Sequence, residues 1–193
     1  MEKYNFGNDE PYLLARNLVG AQNLEELAIA EQFAFTVRAL QFEKGEYQLE
    51  RFTVETFTEL HRHLFQDIYS FAGEIRDVNM SKGNTRFCQM QFIDVELTRF
   101  FKELAGEPEW PNLDMAAQRL AYFKSELNMI HPFREGNGRT IRLFIHAFAR
   151  SKGLDWHYSE LAQERYMQAM IQSVYDVSLL EQLFKDTIKS MRD

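Results

Sequence analysis

The sequence has almost no cysteine, no long apolar run and no excess of basic charge. Cys88 is the only cysteine in 193 residues, so an internal disulfide is impossible and an oxidising compartment is not indicated. No segment approaches the roughly 18 apolar residues of a membrane-spanning helix. The opening MEKYNFGNDE lacks the apolar centre of a signal peptide. These absences together predict a cytoplasmic protein.

Basic residues are the minority among the charged ones. Lys and Arg total 22 against 29 Asp and Glu, which gives a formal net charge of −7. Sequence-independent DNA binding needs a broad basic face, so direct nucleic-acid binding is not expected. A membrane partner is not expected either. A hydrophobic content of 45% with 17 Phe is enough to fill a core without disulfides. The length favours a single domain over residues 1–193.

Apolar spacing near 3.6 residues runs through most of the chain and predicts a mainly α-helical fold. Residues 1–50 form an N-terminal helical segment, in which Asn23 is placed to cap a helix over 24–41. Pro108 and Pro111 predict a loop at 106–112. Further helices are predicted over 53–71, 93–106 and 115–130, from 141 to a stop at Gly153, and near 158–172 and 176–191.

One stretch departs from the helical pattern. Residues 76–92 carry a Gly83-Asn84 turn signal, after which apolar Cys88, Met90 and Phe92 alternate with polar residues. This combination predicts a β-hairpin over 76–92 with its tip near 82–85. In that hairpin Cys88 is interpreted as a small apolar filler.

The stretch HPFREGNGRTIR, residues 131–142, separates two helical patterns with a dense set of polar groups. Pro132 predicts that the first helix ends at His131, because the residue before proline is pushed out of the α region. The glycines then turn the chain, and a new helix is expected to begin near Gly138 or Arg139. A glycine-rich turn at a helix start directs free N–H groups and the positive end of the helix dipole at one point. The stretch therefore predicts an anion site.

The side chains of this stretch indicate a polyphosphate ligand. Arg139 and Arg142, three residues apart, share one face of the new helix, and Asn137 adds an amide donor. Glu135 would be repelled by phosphate unless a cation lies between them, and Mg²⁺ is often held by one carboxylate plus phosphate oxygens. His131, with an ordinary pKa near ~6.5, can take a proton from an incoming hydroxyl at neutral pH.

Each of these residue types also has an ordinary structural explanation. Glycines between helices are usually a turn, and a lone histidine is usually a hydrogen-bonded structural residue. A plain turn, however, needs neither an acid nor paired arginines. No Gly-Lys-Ser/Thr follows the glycines, which disfavours the kinase and P-loop NTPase classes. His61, His63 and His146 are assigned structural or surface roles.

HPFREGNGRTIR resembles the signature of the Fic (filamentation induced by cAMP) family, His-Pro-Phe-x-Asp/Glu-Gly-Asn-Gly-Arg-x-x-Arg, at every fixed position. Residues 60–76 are similar to the segment before the family's flap, and MSKGNTRF, residues 80–87, to the flap hairpin. The resemblance spans at least residues 55–190 and implies a Fic-type helical domain with a small β-hairpin flap. The opening GNDEPY also resembles the class I branch, whose toxins pair with a separate small antitoxin.

The resemblance implies a protein adenylyltransferase that transfers AMP from ATP to a hydroxyl side chain of a target protein and releases pyrophosphate. By position, His131 would be the base that deprotonates the hydroxyl, Phe133 would anchor the loop, and Glu135 would hold Mg²⁺. The residues that would hold the phosphates of ATP are Gly136, Asn137, Gly138, Arg139 and Arg142. The flap that would dock the main chain of the target consists of Ser81, Lys82, Gly83, Asn84, Thr85, Arg86 and Phe87.

Many family members carry an inhibitory helix, Ser/Thr-x-x-x-Glu-Gly/Asn, whose glutamate pairs with the second arginine of the signature. In this sequence Glu is followed by Gly or Asn only at Glu135-Gly136, and the fourth residue before that Glu is His131, so the pattern is missing. The helix is then supplied by a separate antitoxin, or the enzyme is unrestrained, or the segment was removed. Similar toxins modify the ATPase subunits of bacterial type II topoisomerases, which are the favoured targets.

Two alternatives remain open. Some members of the family transfer other phosphate-containing groups, such as UMP or phosphocholine, and the residues that select the base lie outside the signature. The chain could also be a nucleotide-binding interaction module with little turnover, although a pure binder needs neither His131 nor Glu135.

Overall fold

The computed structural model describes residues 9–191, which form eight α-helices and two small two-stranded antiparallel sheets. A mainly α fold is therefore confirmed. Gly7 and Asn8 of the GNDEPY stretch lie outside the described residues. No helix in the described range is both long and apolar enough to cross a bilayer. The helices are α1 (Asp9–Arg16), α2 (Leu24–Glu43), α3 (Val54–Phe65), α4 (Ile93–Ala105), α5 (Leu113–Ile130), α6 (Asn137–Ser151), α7 (Gln163–Gln172) and α8 (Ser178–Thr187).

Polar side chains fix the starts of three of these helices. Asn23 accepts a 3.0 Å hydrogen bond from the N–H three residues on, at the start of α2. Thr53 does the same for α3 at 3.3 Å, and Asn112 for α5 at 2.9 Å. Each cap satisfies an N–H group that has no acceptor within its helix. The predicted Asn23 cap is therefore confirmed.

Helices α5 and α6 form the centre of the molecule. α5 packs against α4, α6 and α8, and α3 packs against α6 and α2. The core between them is rich in phenylalanine. The rings of Phe57 and Phe101 lie 5.0 and 5.5 Å from that of Phe144 and 5.8 Å from each other, measured between centroids. Phe133, from the loop between α5 and α6, is fully buried and lies 5.3 Å from Phe57. The loop is thus anchored in the core, as the resemblance implied.

The flap hairpin is shorter than predicted. β1 (Ser81–Lys82) pairs with β2 (Thr85–Arg86), which confirms the predicted tip, and Gly83 in the turn has φ 55°. The prediction of a strand beyond Arg86 is wrong. The N–H of Cys88 bonds instead to the carbonyl of Met129 in α5 at 2.9 Å, and a 3₁₀ turn then leads into α4. The end of α5 thus supplies the acceptor for the N–H of Cys88 that a longer β1 would have supplied in the predicted hairpin.

The sequence pattern does not predict the second sheet. β3 (Leu154–Trp156) pairs antiparallel with β4 (Ile188–Ser190), directly after α8. The indole N–H of Trp156 donates to the hydroxyl of Thr187 at 3.1 Å beside this sheet. The helix predicted near 176–191 is therefore too long, because its last residues form a strand.

Helix α2 has apolar residues on both of its faces. Its inner face buries Glu31, whereas Ile29, Phe33, Val37 and Leu40 lie exposed along the opposite side, with Phe33 at 73%. We call these four residues the outer stripe of α2. A helix that is apolar all round is normally covered, and an exposed apolar patch often marks an interaction surface.

Candidate active site

The junction between α5 and α6 is built around a strained residue. His131 follows the last turn of α5 with φ 49° and ψ 59°, and within residues 9–191 it is the one non-glycine residue with positive φ. The left-handed region costs such a residue about 1–2 kcal/mol, and strain of this kind is retained where the surroundings enforce it. The predicted helix end at His131 is confirmed.

The imidazole of His131 is buried and held in one orientation. Its Nδ1 lies 3.1 Å from the carbonyl oxygen of Asn128, and its ring stacks on Phe87 of the flap at 3.7 Å between centroids. A carbonyl oxygen only accepts, so Nδ1 carries the proton and the lone pair is on Nε2. Burial, with the charges of Arg76 and Lys82, lowers the pKa of His131 to about 3. The ring is therefore neutral at physiological pH, as a general base must be.

Asn137 closes the loop that follows His131. Its side-chain oxygen accepts the N–H of Phe133 at 2.9 Å, and its amide nitrogen donates to the carbonyl of Phe133 at 2.7 Å. The side chain is almost completely buried. The sequence pattern indicated that this amide binds the ligand; in the structure it shapes the loop instead. What Asn137 offers to a ligand is its backbone N–H in the first turn of α6.

His61 supports the same loop from α3. Its Nδ1 accepts the N–H of Gly73 at 2.8 Å, so its Nε2 donates to the carbonyl of Glu135 at 2.9 Å, and its ring stacks on Phe133. Burial lowers the pKa of His61 to about 3, which keeps it neutral in this structural role. His63, stacked on Tyr47, and His146, buried in α6, also have structural surroundings.

Helix α6 begins at Asn137, close to the predicted start. Gly136 precedes it with φ 78°, and a Cβ at this position would lie 2.4 Å from the ring of Phe65, so only glycine fits. An added Cβ at Gly138 would meet no described heavy atom within 4 Å. The first N–H groups of α6 have no acceptor within the helix and no side-chain cap from the described part of the chain. This positive, open helix end suits an anion.

The two arginines of the signature have different surroundings. Arg139 pairs with Glu31 of α2 at 2.6 Å between Nη2 and Oε1, and the same nitrogen lies 3.5 Å from Glu135. Arg142 lies over the ring of Tyr158 at 5.4 Å and forms no ion pair with any residue that the structure describes. No carboxylate of the described residues therefore neutralises the charge of Arg142.

Arg76 joins the flap to the end of α5. Its guanidinium is 3% exposed and donates to the carbonyls of His131 at 2.7 Å, Cys88 at 2.5 Å and Ile130 at 3.3 Å, and to that of Val78. An arginine at the last carbonyls of a helix satisfies acceptors that lack a helical donor. This role of Arg76 is not predicted by the sequence pattern, although Arg76 is the last residue of the segment 60–76 that resembles the family.

The segments that build this site fall within one known protein family. The family model for the Fic/DOC family matches residues 51–149, which include α3, the flap and the loop between α5 and α6. The chain belongs to the Fic/DOC family. The signature recognised in residues 131–142 therefore lies inside the matched Fic range, on the loop that carries His131.

Two relatives in the Fic/DOC family are similar to this chain over most of their length. Probable protein adenylyltransferase y4lH of Sinorhizobium fredii is 35% identical over 162 residues, or 82% of each chain. Probable protein adenylyltransferase Fic of Salmonella typhimurium is 32% identical over 200 residues, which is 100% of this chain and 98% of that protein. BepC, a VirB-translocated effector of Bartonella tribocorum solved with bound AMPPNP, shares the fold at a TM-score of 0.81 and 21% identity, covering 91% of this chain and 92% of that one.

A metal ion in this Fic site would have few protein ligands. The described residues contain no group of three or more His, Cys, Asp or Glu side chains that could hold a metal. Glu135 is buried at the start of α6, where its Oε1 accepts the N–H of Gly136 at 3.0 Å. Mg²⁺ commonly takes one or two carboxylates and completes its shell with phosphate oxygens and water. Glu135 therefore fits a Mg²⁺ ion that is shared with the phosphates of a nucleotide.

Proposed function

We propose that this protein is an adenylyltransferase that transfers AMP from ATP to a hydroxyl side chain of a target protein. The observation that carries the proposal is the neutral His131, with its lone pair on Nε2, on the loop that leads to the open end of α6. The names of the two curated relatives and the AMPPNP bound to BepC support the same activity and ATP as the co-substrate.

The reaction exchanges one P–O bond for another at the α-phosphorus and moves one proton from the target hydroxyl to His131. His131 takes the proton of the target hydroxyl at Nε2, and the oxygen forms a bond to the α-phosphorus of ATP. The bond from that phosphorus to the oxygen bridging the α- and β-phosphates breaks, and pyrophosphate leaves. The first N–H groups of α6, Arg139 and Arg142 hold the phosphates in line with the attacking oxygen. Glu135 would hold Mg²⁺, which supplies neutralisation of the phosphate charge.

Labelled ATP tests the proposal directly. Target protein incubated with the enzyme should gain label from the α-phosphate and none from the γ-phosphate. Label from the γ-phosphate would show kinase-like transfer. Label from neither, with AMPPNP still bound, would support a binding module, or a different donor that parallel reactions with UTP and CDP-choline would reveal.

We propose that the flap docks the main chain of the target as an added strand. Lys82 pairs with Thr85 across the turn, and the N–H of Phe87 bonds to the carbonyl of Met80 at 3.1 Å. Hydrogen-bonded pairs alternate in an antiparallel ladder, so the intervening pair directs its N–H and carbonyl groups outward. Arg86 belongs to that pair, and its outward N–H is available to a docked strand.

Replacing Arg86 with proline should therefore weaken target modification and spare the nucleotide. Proline removes the outward N–H without breaking the ladder inside the hairpin. We expect the KM for the target to rise at least ~5-fold, which corresponds to the loss of one backbone hydrogen bond of about 1 kcal/mol, with an unchanged Kd for AMPPNP. Arg86→Ala is the matched control, since it loses the same side chain and keeps the N–H. Equal effects of the two substitutions, or a parallel loss of AMPPNP binding, would contradict strand docking.

We further propose that the chain is a toxin restrained by a separate small antitoxin, and that its targets are cytoplasmic ATPase subunits of type II topoisomerases. The missing inhibitory pattern and the absence of an ion pair at Arg142 within residues 9–191 support this proposal. A partner glutamate could pair with Arg142 in the bidentate geometry that arginine favours. The outer stripe of α2 offers an apolar seat for a partner helix.

Expression of the chain alone should then arrest growth of a bacterial host, and co-expression of the antitoxin should restore it. Changing the glutamate of the antitoxin to glycine should restore AMP transfer while the purified complex stays intact, because the rest of the interface remains. A variant complex that stays fully inactive would show that inhibition works by covering the cleft rather than through Arg142.

A further inference from the structure

Glu31 lies far from the signature in sequence and beside it in space. It is on the inner face of α2 and only 5% exposed. Its Oε1 accepts a hydrogen bond from Nη2 of Arg139 at 2.6 Å, and its Oε2 accepts one from the hydroxyl of Tyr69. Burial and the charge of Glu31 raise the pKa of Tyr69, so the hydroxyl remains a donor at any physiological pH. The carboxylate is thus held from one side and holds Arg139 on the other.

The guanidinium of Arg139 is fixed by more than charge. It lies over the rings of Phe65 at 4.8 Å and Phe35 at 5.2 Å, and one of its nitrogens, Nη2, contacts both Glu31 and Glu135. Its Nε and Nη1 have no hydrogen-bond partner within residues 9–191. The Nη2 of the Arg139 guanidinium is therefore occupied by the two carboxylates. Because the group is planar, their contact also fixes the directions of the remaining N–H donors.

The contact of Arg139 with two carboxylates weakens the attraction of this site for phosphate. Two carboxylates at one guanidinium leave the local group with a net negative charge, which weakens its attraction for a polyphosphate. A free arginine side chain, however, samples many rotamers, and the entropy of that freedom opposes its ordering. A second acid at this position therefore serves orientation and acts against affinity.

We propose that Glu31 is a positioning residue that holds Arg139 in the orientation needed for phosphoryl-group transfer, and that Tyr69 holds Glu31. The inference rests on the proposed AMP transfer and adds a part of the site contributed by α2, outside the family signature. The orientation of Arg139 matters most in the transition state, whereas the local charge affects ground-state binding of the nucleotide. Removal of the Glu31 carboxylate should therefore lower kcat without weakening nucleotide affinity.

Glu31→Gln removes the charge and keeps the shape. We expect kcat for transfer of α-labelled AMP to fall at least ~10-fold, the scale of a misoriented catalytic group, while AMPPNP binds as tightly as before or several-fold more tightly. Tyr69→Phe should lower kcat to a smaller extent, because Glu31 loses the hydrogen bond that holds it, and should leave the affinity for AMPPNP unchanged, because the charge of Glu31 remains. A structural defect would lower stability and weaken nucleotide binding together, so unfolding midpoints are measured beside the kinetics.

Three further variants, Asp67→Asn, Arg139→Ala and the double variant with Glu31→Gln, separate this role from general support by α2. Asp67→Asn breaks the ion pair of Asp67 with Arg38, at 2.7 Å, which also ties α2 to the end of α3. This variant should transfer AMP at the wild-type rate. In an Arg139→Ala background, Glu31→Gln should cause no further loss of kcat, because the orienting effect acts only through Arg139. The charge that it removes repels phosphate in either background, so the affinity for AMPPNP is not part of this comparison.

The outcomes are distinct. Wild-type enzyme that transfers no label would overturn the proposed function and, because it rests on that function, the positioning role with it. Wild-type transfer with Glu31→Gln within twofold of it would overturn the positioning role. So would an equal loss in Asp67→Asn, or a further loss in the Arg139→Ala background.

Discussion

Replacement of His131 by asparagine should lower AMP transfer by at least ~10²-fold, the contribution of a positioned general base. Asparagine tolerates the left-handed backbone at this position better than other non-glycine residues. Its amide can donate to the carbonyl of Asn128, as Nδ1 of His131 does, but it cannot accept a proton from the target hydroxyl. The Kd for AMPPNP should stay within twofold of the wild-type value. The measurements are kcat with α-labelled ATP and titration with AMPPNP.

A matched control and a pH profile sharpen this test. His157→Ala alters a partly exposed histidine that pairs with Asp155 and Glu160, and it should leave kcat unchanged. Because burial lowers the pKa of His131 to about 3, the free enzyme keeps its base neutral as pH falls from 8 to 5. An ordinary histidine with a pKa of ~6.5 would lose roughly 30-fold in neutral form over that range. The base assignment does not survive if His131→Asn transfers AMP at near wild-type rates.

Gly136→Ala and Gly138→Ala should fail in different ways. At Gly136 alanine would have φ 78° and a Cβ 2.4 Å from the ring of Phe65. The backbone costs about 1–2 kcal/mol and the overpacking about 1–3 kcal/mol. At about 2–4 °C per kcal/mol for a chain of this size, the Tm should fall by roughly 5–15 °C, and transfer should be lost with the loop geometry.

Alanine at Gly138 should keep the fold and lose the ligand. The site is open and helical, and alanine favours a helix interior by about 1 kcal/mol over glycine. We therefore expect an unchanged or higher Tm and an affinity for AMPPNP at least ~10-fold weaker, because the methyl group stands where phosphate approaches the first turn of α6. Thermal unfolding and titration of both variants test this pair. Normal AMPPNP binding by Gly138→Ala would contradict the assignment of the phosphate site to the start of α6.

Much of the helical frame is predictable from the sequence because its signals are local. The 3.6-residue spacing and the Asn23 cap act within a few residues of each other, and so do the turn residues of the flap. The contiguous signature likewise places His131, Glu135 and Arg142 on one loop and helix start without any knowledge of the fold.

Contacts between distant segments account for what the sequence does not reveal. β3 and β4 are three-residue strands from different parts of the chain, too short to carry a periodic signal. Cys88 leaves the hairpin because Met129 accepts its N–H. The supporting roles of His61 and Arg76 depend on carbonyl groups elsewhere in the fold. Glu31 does have a local signal, since it is an acid on the inner face of an apolar helix, but its partner is Arg139 of α6.

The flap is tied down on both sides of its tip. Arg76 donates to carbonyls at the end of α5, and the N–H of Cys88 bonds to Met129. If the flap docks the target as proposed, these hydrogen bonds hold the hairpin in place on both sides of its tip, so that little further entropy is lost in ordering it. Target association should then proceed at ordinary protein encounter rates of about 10⁵–10⁷ M⁻¹s⁻¹, without a slow opening step. Discrimination between targets would be expressed in how long each remains bound, and short-lived complexes would leave before the hydroxyl reacts.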